Sequence, residues 1–208
     1  MARRNPFIRN DEEPAPREDS AEVVLHDELL GHKLAETGPS DPECLPITPK
    51  DVDSALWPMV PLEAVPVSGI TVMGLHGGAG ATTVAGLLGE DVAESGRSWP
   101  RPPEGSRLGV LAVCRSHWRG LEAADQFTQQ WAAGMLPDAT LLGLLIVDDG
   151  PSLAEGQKKA MKRLLKRTPR GYHIPWVEAW RHASPDQGRI PARITRMTRA
   201  LRSAAADL

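Results

Sequence analysis

Two cysteines among 208 residues, Cys44 and Cys114, are too few for a disulfide framework or a metal cage of their own. No apolar run approaches the roughly 18 residues needed to span a bilayer. The opening stretch, Met1 to Glu13, lacks the apolar core of a secretory signal. One tyrosine and two phenylalanines stand against six tryptophans. A formal charge of −3 is too small to name a partner. These shortages point to a reduced, cytoplasmic protein with no transmembrane segment, and 41 % hydrophobic residues provide for a real core.

The near-neutral total hides a strong gradient. Residues 1–65 hold 14 acids, six bases and nine prolines, whereas residues 157–208 hold 13 bases and three acids. The first 65 residues therefore read as an acidic, Pro-rich, largely disordered arm, because proline removes a backbone donor and fixes φ. Within it, residues 20–34 place Val23, Val24, Leu30 and Leu34 near helical spacing, behind Asp19 or Ser20 as a cap. That segment is either a patch on the domain surface or a docking helix for a partner. Trp57 and Met59 are expected to pin the arm where it meets the domain.

From residue 66 to 208 the pattern is that of a folded domain. Short apolar runs at 70–75, 108–114, 141–147 and 172–174 show no polar alternation, so they read as strands covered on both faces. Helices are expected over 81–94, 120–133, from a Ser152 cap to about 167, briefly after Pro175, and over 189–205, with a loop at 96–106. Strands separated by helices pair in parallel through right-handed crossovers. The expectation is a three-layer, Rossmann-like α/β domain with a mainly parallel sheet. Ligands of such sheets sit beyond the carboxyl ends of the strands, which directs attention to 75–83, 115–120, 148–152 and 175–181.

The first of these segments reads His76-Gly77-Gly78-Ala79-Gly80-Ala81-Thr82-Thr83. Glycines between a buried strand and a helix let backbone N–H groups converge on a phosphate at the helix start. The turn resembles that of the ParA/MinD group of P-loop ATPases, matching it at Gly77, Gly78, Gly80, Thr82 and Thr83. The resemblance implies a P-loop fold, a site for ATP or another nucleotide with magnesium, a magnesium-ligand role for Thr82, and a homodimer. Both of that group's lysines are replaced, the first by His76 and the second by Ala81. Each lost phosphate contact removes about 3–4 kcal/mol of transition-state stabilisation, so efficient hydrolysis does not follow. No Walker B aspartate is recognisable between the turn and Leu108. Arg115 or Arg119 is the nearest replacement for the missing positive charge.

A second resemblance is to a family of small actinobacterial proteins of unknown function found near conjugation genes of integrative elements. It rests on the glycine turn, on Arg115-Ser116 with Arg119-Gly120-Leu121, on Leu141 to Leu144 running to Asp149 and Pro151, and on Ile174 to Arg181. It spans about residues 68–182 and implies an accessory role in mobile-element DNA transfer.

Other residues compete with blander roles. Asp148 and Asp149 read as a turn and helix cap more than as metal ligands. Ser116 and His117 have no acid spaced for a hydrolytic relay. Trp176 and Trp180 read as the edge of a core, or else as an anchor for a partner. The bases between residues 158 and 202 form either solvated faces or a cationic surface for nucleic acid. The resulting expectation is a catalytically degenerate binding or scaffold protein with a protein partner. Its alternatives are a slow ATPase or GTPase and a non-specific nucleic-acid binder.

Overall fold

A computed structural model describes residues 56–183, 185 and 190–208. The expected helix over 20–34 and the arm as far as residue 55 lie outside the described residues, as does the start of the last helix at 189. The element order is β1 (Met59–Pro61), β2 (Ile70–Gly74), α1 (Ala81–Leu88), β3 (Ala93–Glu94), β4 (Trp99–Arg101), β5 (Gly109–Arg115), α2 (Trp118–Ala132), β6 (Thr140–Val147), α3 (Glu155–Leu165), β7 (Gly171–Ile174), a 3₁₀ turn (Glu178–Arg181) and α4 (Ala192–Ala206).

Five strands form one sheet in the order β3-β2-β5-β6-β7, and every neighbouring pair is parallel. Strands β2 and β7 are buried along their whole length. The two faces of the sheet feed two separate cores. On one face Met73, Ala112, Leu144 and Ile146 meet α2 and α3. On the other, Ile70, Val72, Leu111 and Leu145 meet α1 and α4. The fold is thus the expected three-layer α/β arrangement with a parallel sheet.

The structure moves several expected boundaries, each for a local reason. The helix expected over 81–94 stops at Leu88, because Gly89 takes φ +129°, where an added Cβ would run into Arg202. Arg202 bonds the Leu88 carbonyl twice, at 2.6 and 2.9 Å, closing the helix C-terminus with a cation. Freed from the helix, Ala93 and Glu94 pair with β2 as an edge strand. The loop expected over 96–106 contains β4, which pairs in parallel with β1. Trp99 is fully buried there and donates through Nε1 to the Pro137 carbonyl at 2.7 Å. Helix α3 starts at Glu155, so Ser152 is not its cap. Gln157 Oε1 instead accepts the Ala154 N–H at 2.8 Å.

Residues 56–65, grouped with the arm by composition, pack on the domain. Trp57 is 3 % exposed and meets Phe127 of α2 edge-on at 5.7 Å, which Trp99 also approaches at 6.2 Å. Met59, the other expected anchor, lies 44 % exposed and contributes backbone to β1. Replacing a buried tryptophan with alanine costs about 3–5 kcal/mol through lost transfer energy and the cavity left behind. Trp57→Ala is therefore expected to lower the unfolding free energy measured in urea by an amount in that range. A change within error would show that the domain folds without this segment.

Candidate functional site

The parallel sheet brings all its carboxyl ends to one edge. The chain leaves β2 for α1 and β3 on one side, then returns to place β5 on the other. The point where the order reverses, between β2 and β5, opens a crevice at which such sheets bind ligands. The glycine-rich turn lies at this point. Its Ala79 N–H donates to the His76 carbonyl at 3.2 Å, and α1 begins with the Val84 N–H on the Gly80 carbonyl at 3.0 Å.

The glycines of the turn serve different ends. Gly78 and Gly80 hold φ +75° and +92°, in the left-handed region that side chains disfavour. Gly77 has no positive φ, and a Cβ placed on it would meet nothing within 4 Å. Neither torsion nor packing inside the fold requires glycine at 77.

His76 does not behave as a substitute lysine. Its Nδ1 lies 2.9 Å from the Gly77 carbonyl, which can only accept, so this nitrogen carries the proton. Its Nε2 then accepts the Arg115 N–H at 3.0 Å, a bond that fixes the ring as neutral. Burial, opposed by the Gly77 hydrogen bond, holds the imidazole below its ordinary pKa, with His117, Arg115 and Arg97 adding repulsion. The ring thus pins the turn after β2 to the end of β5. His117 packs against it at 4.8 Å and caps α2, its Nδ1 accepting the Gly120 N–H at 3.0 Å. Gly120 is required by close approach, since a Cβ there would lie 2.1 Å from the Arg115 carbonyl.

Arg115 places a positive charge at the crevice beside the turn. Its side chain, half-buried, makes no hydrogen bond or ion pair among the described residues and lines two cavities of about 150 Å³ each. One cavity takes in Gly80, Thr83, Val84 and Trp180. The other takes in Asp148, Pro175, Trp176 and Arg181. Arg115, Val147 and Trp180 border both, so the hollow beside the turn and the one beside Trp176 adjoin at these side chains. Arg119 is exposed on the first turn of α2 and lines neither cavity. Ala81 brings no charge and sits over the Gly74 backbone.

Thr82 and Thr83 point different ways. Thr83 borders the hollow, whereas Thr82 Oγ1 donates to Glu94 Oε2 at 2.9 Å. Glu94, at the carboxyl end of the strand beside β2, escapes sequence reasoning because its apolar neighbours keep helical spacing. Gly89, in the middle of that stretch, is the signal that could have found it.

Asp148 is buried and spends both oxygens. Oδ1 lies 2.7 Å from His173 Nε2, and Oδ2 accepts the Trp176 N–H at 3.2 Å, which holds the tryptophan segment at the rim. Asp149 is held by Ser116 through two hydrogen bonds. Trp176 and Trp180 are half-buried, and only Trp180 lies within the short 3₁₀ turn, so the helix expected there is reduced. Eight of the bases of 158–202 lie on α3 and α4, four on each, and these helices cover opposite faces of the sheet. Arg163 and Arg167 approach Asp125 at 3.9 and 2.6 Å, and Arg202 pairs with Asp91, whose carboxyl it holds below the usual range.

Fold and site together define a parallel three-layer α/β domain with a glycine-rich strand-to-helix turn at its switch point. The chain belongs to the family of unknown function DUF6668, whose profile matches residues 68–199. No curated protein and no solved structure matches the chain.

Because the folded state disfavours protonated His76, the unfolded chain takes up that proton first as pH falls below about 6.5. The stability His76 contributes is full above pH 6.5 and declines as pH drops through and below it. Urea midpoints should fall between pH 7.5 and 5.5 in the wild type. His76→Gln, which can also donate and accept, should show a smaller fall. An equal fall in both would mean that His76 is not held neutral.

Proposed function

We propose that this domain is a phosphate-binding module of P-loop lineage that holds a nucleotide or similar phosphoanion at residues 76–83 without efficient hydrolysis. The observation that carries this reading is the glycine-rich strand-to-helix turn at the sheet's switch point, with Gly78 and Gly80 at φ +75° and +92° and Gly80 and Arg115 lining one cavity. Support comes from the Arg115 guanidinium at the same crevice, and from the start of α1, whose N–H groups favour an anion. Magnesium usually binds through one or two protein oxygens with phosphate oxygens and water completing its shell. The Thr82 hydroxyl and the Glu94 carboxylate, 2.9 Å apart, fit that pattern and would hold the ion, which when bound offsets phosphate charge.

The absence of lysine at 76 and 81 supports binding over turnover. A neutral imidazole locked into the backbone leaves the guanidinium of Arg115 as the cation bordering the hollow beside the turn. The wider role supported by the actinobacterial resemblance is a binding or scaffold accessory in DNA transfer by a mobile element, working through a protein partner. The splitting of the basic residues between two faces favours this over a continuous nucleic-acid surface.

Ligand binding to the folded state raises stability by RT ln(1 + [L]/Kd), about 2.7 kcal/mol at a hundredfold excess over Kd. Thermal unfolding with magnesium and ATP, GTP or inorganic triphosphate at about 5 mM should therefore raise Tm by several degrees. Gly77→Val should abolish the rise while leaving the ligand-free Tm unchanged. Arg115→Ala should weaken binding about tenfold or more, in line with about 1.5–3 kcal/mol for a hydrogen bond to a charged group. No shift with any of these phosphates would end the reading. So would ATP turnover on the order of 1 per second or faster.

A further inference from the structure

The cavity beside Trp176 has no part in holding a phosphate at the turn. It lies past the carboxyl ends of β6 and β7, with apolar and aromatic walls from Pro175, Trp176, Val177 and Trp180. Its volume of about 150 Å³ is that of about five waters at ~30 Å³ each, which suits one flat ring system.

The two tryptophans differ in what they have spent. Trp176 donates its backbone N–H to Asp148 Oδ2 at 3.2 Å and its Nε1–H to Glu178 Oε2 at 2.6 Å. The Arg181 guanidinium stands 6.0 Å from its ring. Trp176 is therefore a fixed wall. Trp180 is half-buried at the edge of the core beneath α1 and α4. Among the described residues its indole N–H has no hydrogen-bond partner, and no ring or cation lies over it. Trp180 and the equally unpartnered Arg115 are walls of this cavity and of the one beside the turn. Val147 is the third shared wall, and a Cβ placed on Gly80 would lie 3.9 Å from its side chain. The glycine turn and the tryptophan cavity are thus one side chain apart.

We propose that the phosphoanion at the turn is the phosphate tail of a nucleotide whose base lies against Trp180 in this cavity. The inference rests on the phosphate-binding reading above and deepens it by naming the class of ligand. Every base has a π face that can stack on an indole, whatever groups its edge carries. Inorganic phosphates have no such face, and they leave the cavity to water.

Titration calorimetry on the full chain with the magnesium complexes of ATP, GTP and inorganic triphosphate reads the two parts separately. Both nucleotides should bind about tenfold more tightly than triphosphate, as one base–aromatic stack provides. Trp180→Leu should remove that advantage and leave the Kd of triphosphate unchanged. Trp180→Phe, which keeps a ring face, should retain most of it. Because Trp180 also packs on the core, a second readout uses the unmutated chain with 5-fluorotryptophan at all six tryptophan positions. The ¹⁹F resonance of Trp180, assigned from the Phe variant, should move with ATP and stay in place with triphosphate. Those of Trp57 and Trp99, in the core on the other face of the sheet, should stay in place with both. Equal affinity for triphosphate and the nucleotides, or a Trp180 resonance that ignores ATP, would overturn the proposal and leave the phosphate site standing. Loss of triphosphate and nucleotide binding together in Trp180→Leu would overturn it too, because Trp180 would then support the turn. No binding of any of the three would end both readings at once.

Discussion

The central strands of the main sheet are covered on both faces, and the geometry of the crevice is a consequence of that burial. A strand such as Ile70–Gly74 with no exposed residue can lie only in the middle layer of three, and short connections through helices then make the strands parallel. Parallel strands place their carboxyl ends together. A turn at 75–80, a cation at 115, an acid at 148 and tryptophans at 176 and 180 are scattered along the chain, yet they meet at one edge. No pairwise attraction among them is required.

His76 shows how a side chain at the turn can act as a structural clasp. A lysine at this position would project a mobile charge. The imidazole instead hydrogen-bonds backbone on both sides, to Gly77 and to Arg115, and joins the two central strands across the switch point. Protonation would set an N–H against the Arg115 N–H, so the bond and the neutral ring are one property. The positive charge bordering the cavity beside the turn is that of the Arg115 side chain.

The elements most legible in the sequence are those with local causes. Apolar runs mark β2, β5, β6 and β7 nearly to the residue, and the glycine turn declares itself by three glycines between a strand and a helix. The misplaced elements share a cause as well. Glu94 reads as helical because Val84, Leu87, Leu88 and Val92 keep helical spacing. Gly89 breaks that helix with support from Arg202, a partner 113 positions away in the chain. Strand β4 is invisible because Trp99-Pro100-Arg101 has no strand pattern of its own and pairs only with Met59–Pro61. Arg115 and Arg119 look alike as candidates until strand and helix geometry turns one toward the hollow and leaves the other in solvent.

The sequence by itself determined the layered α/β class, the position of the glycine turn and the absence of lysine at 76 and 81, because hydrophobic periodicity and backbone permissiveness are local properties. Tertiary structure alone decided that His76 is a neutral clasp, that Glu94 stands beside Thr82, that Trp118 borders an open groove, and that the basic helices lie on opposite faces. Each of these is a relation between segments distant in the chain. Such relations are fixed by which faces the core buries, and no short window of residues contains that information.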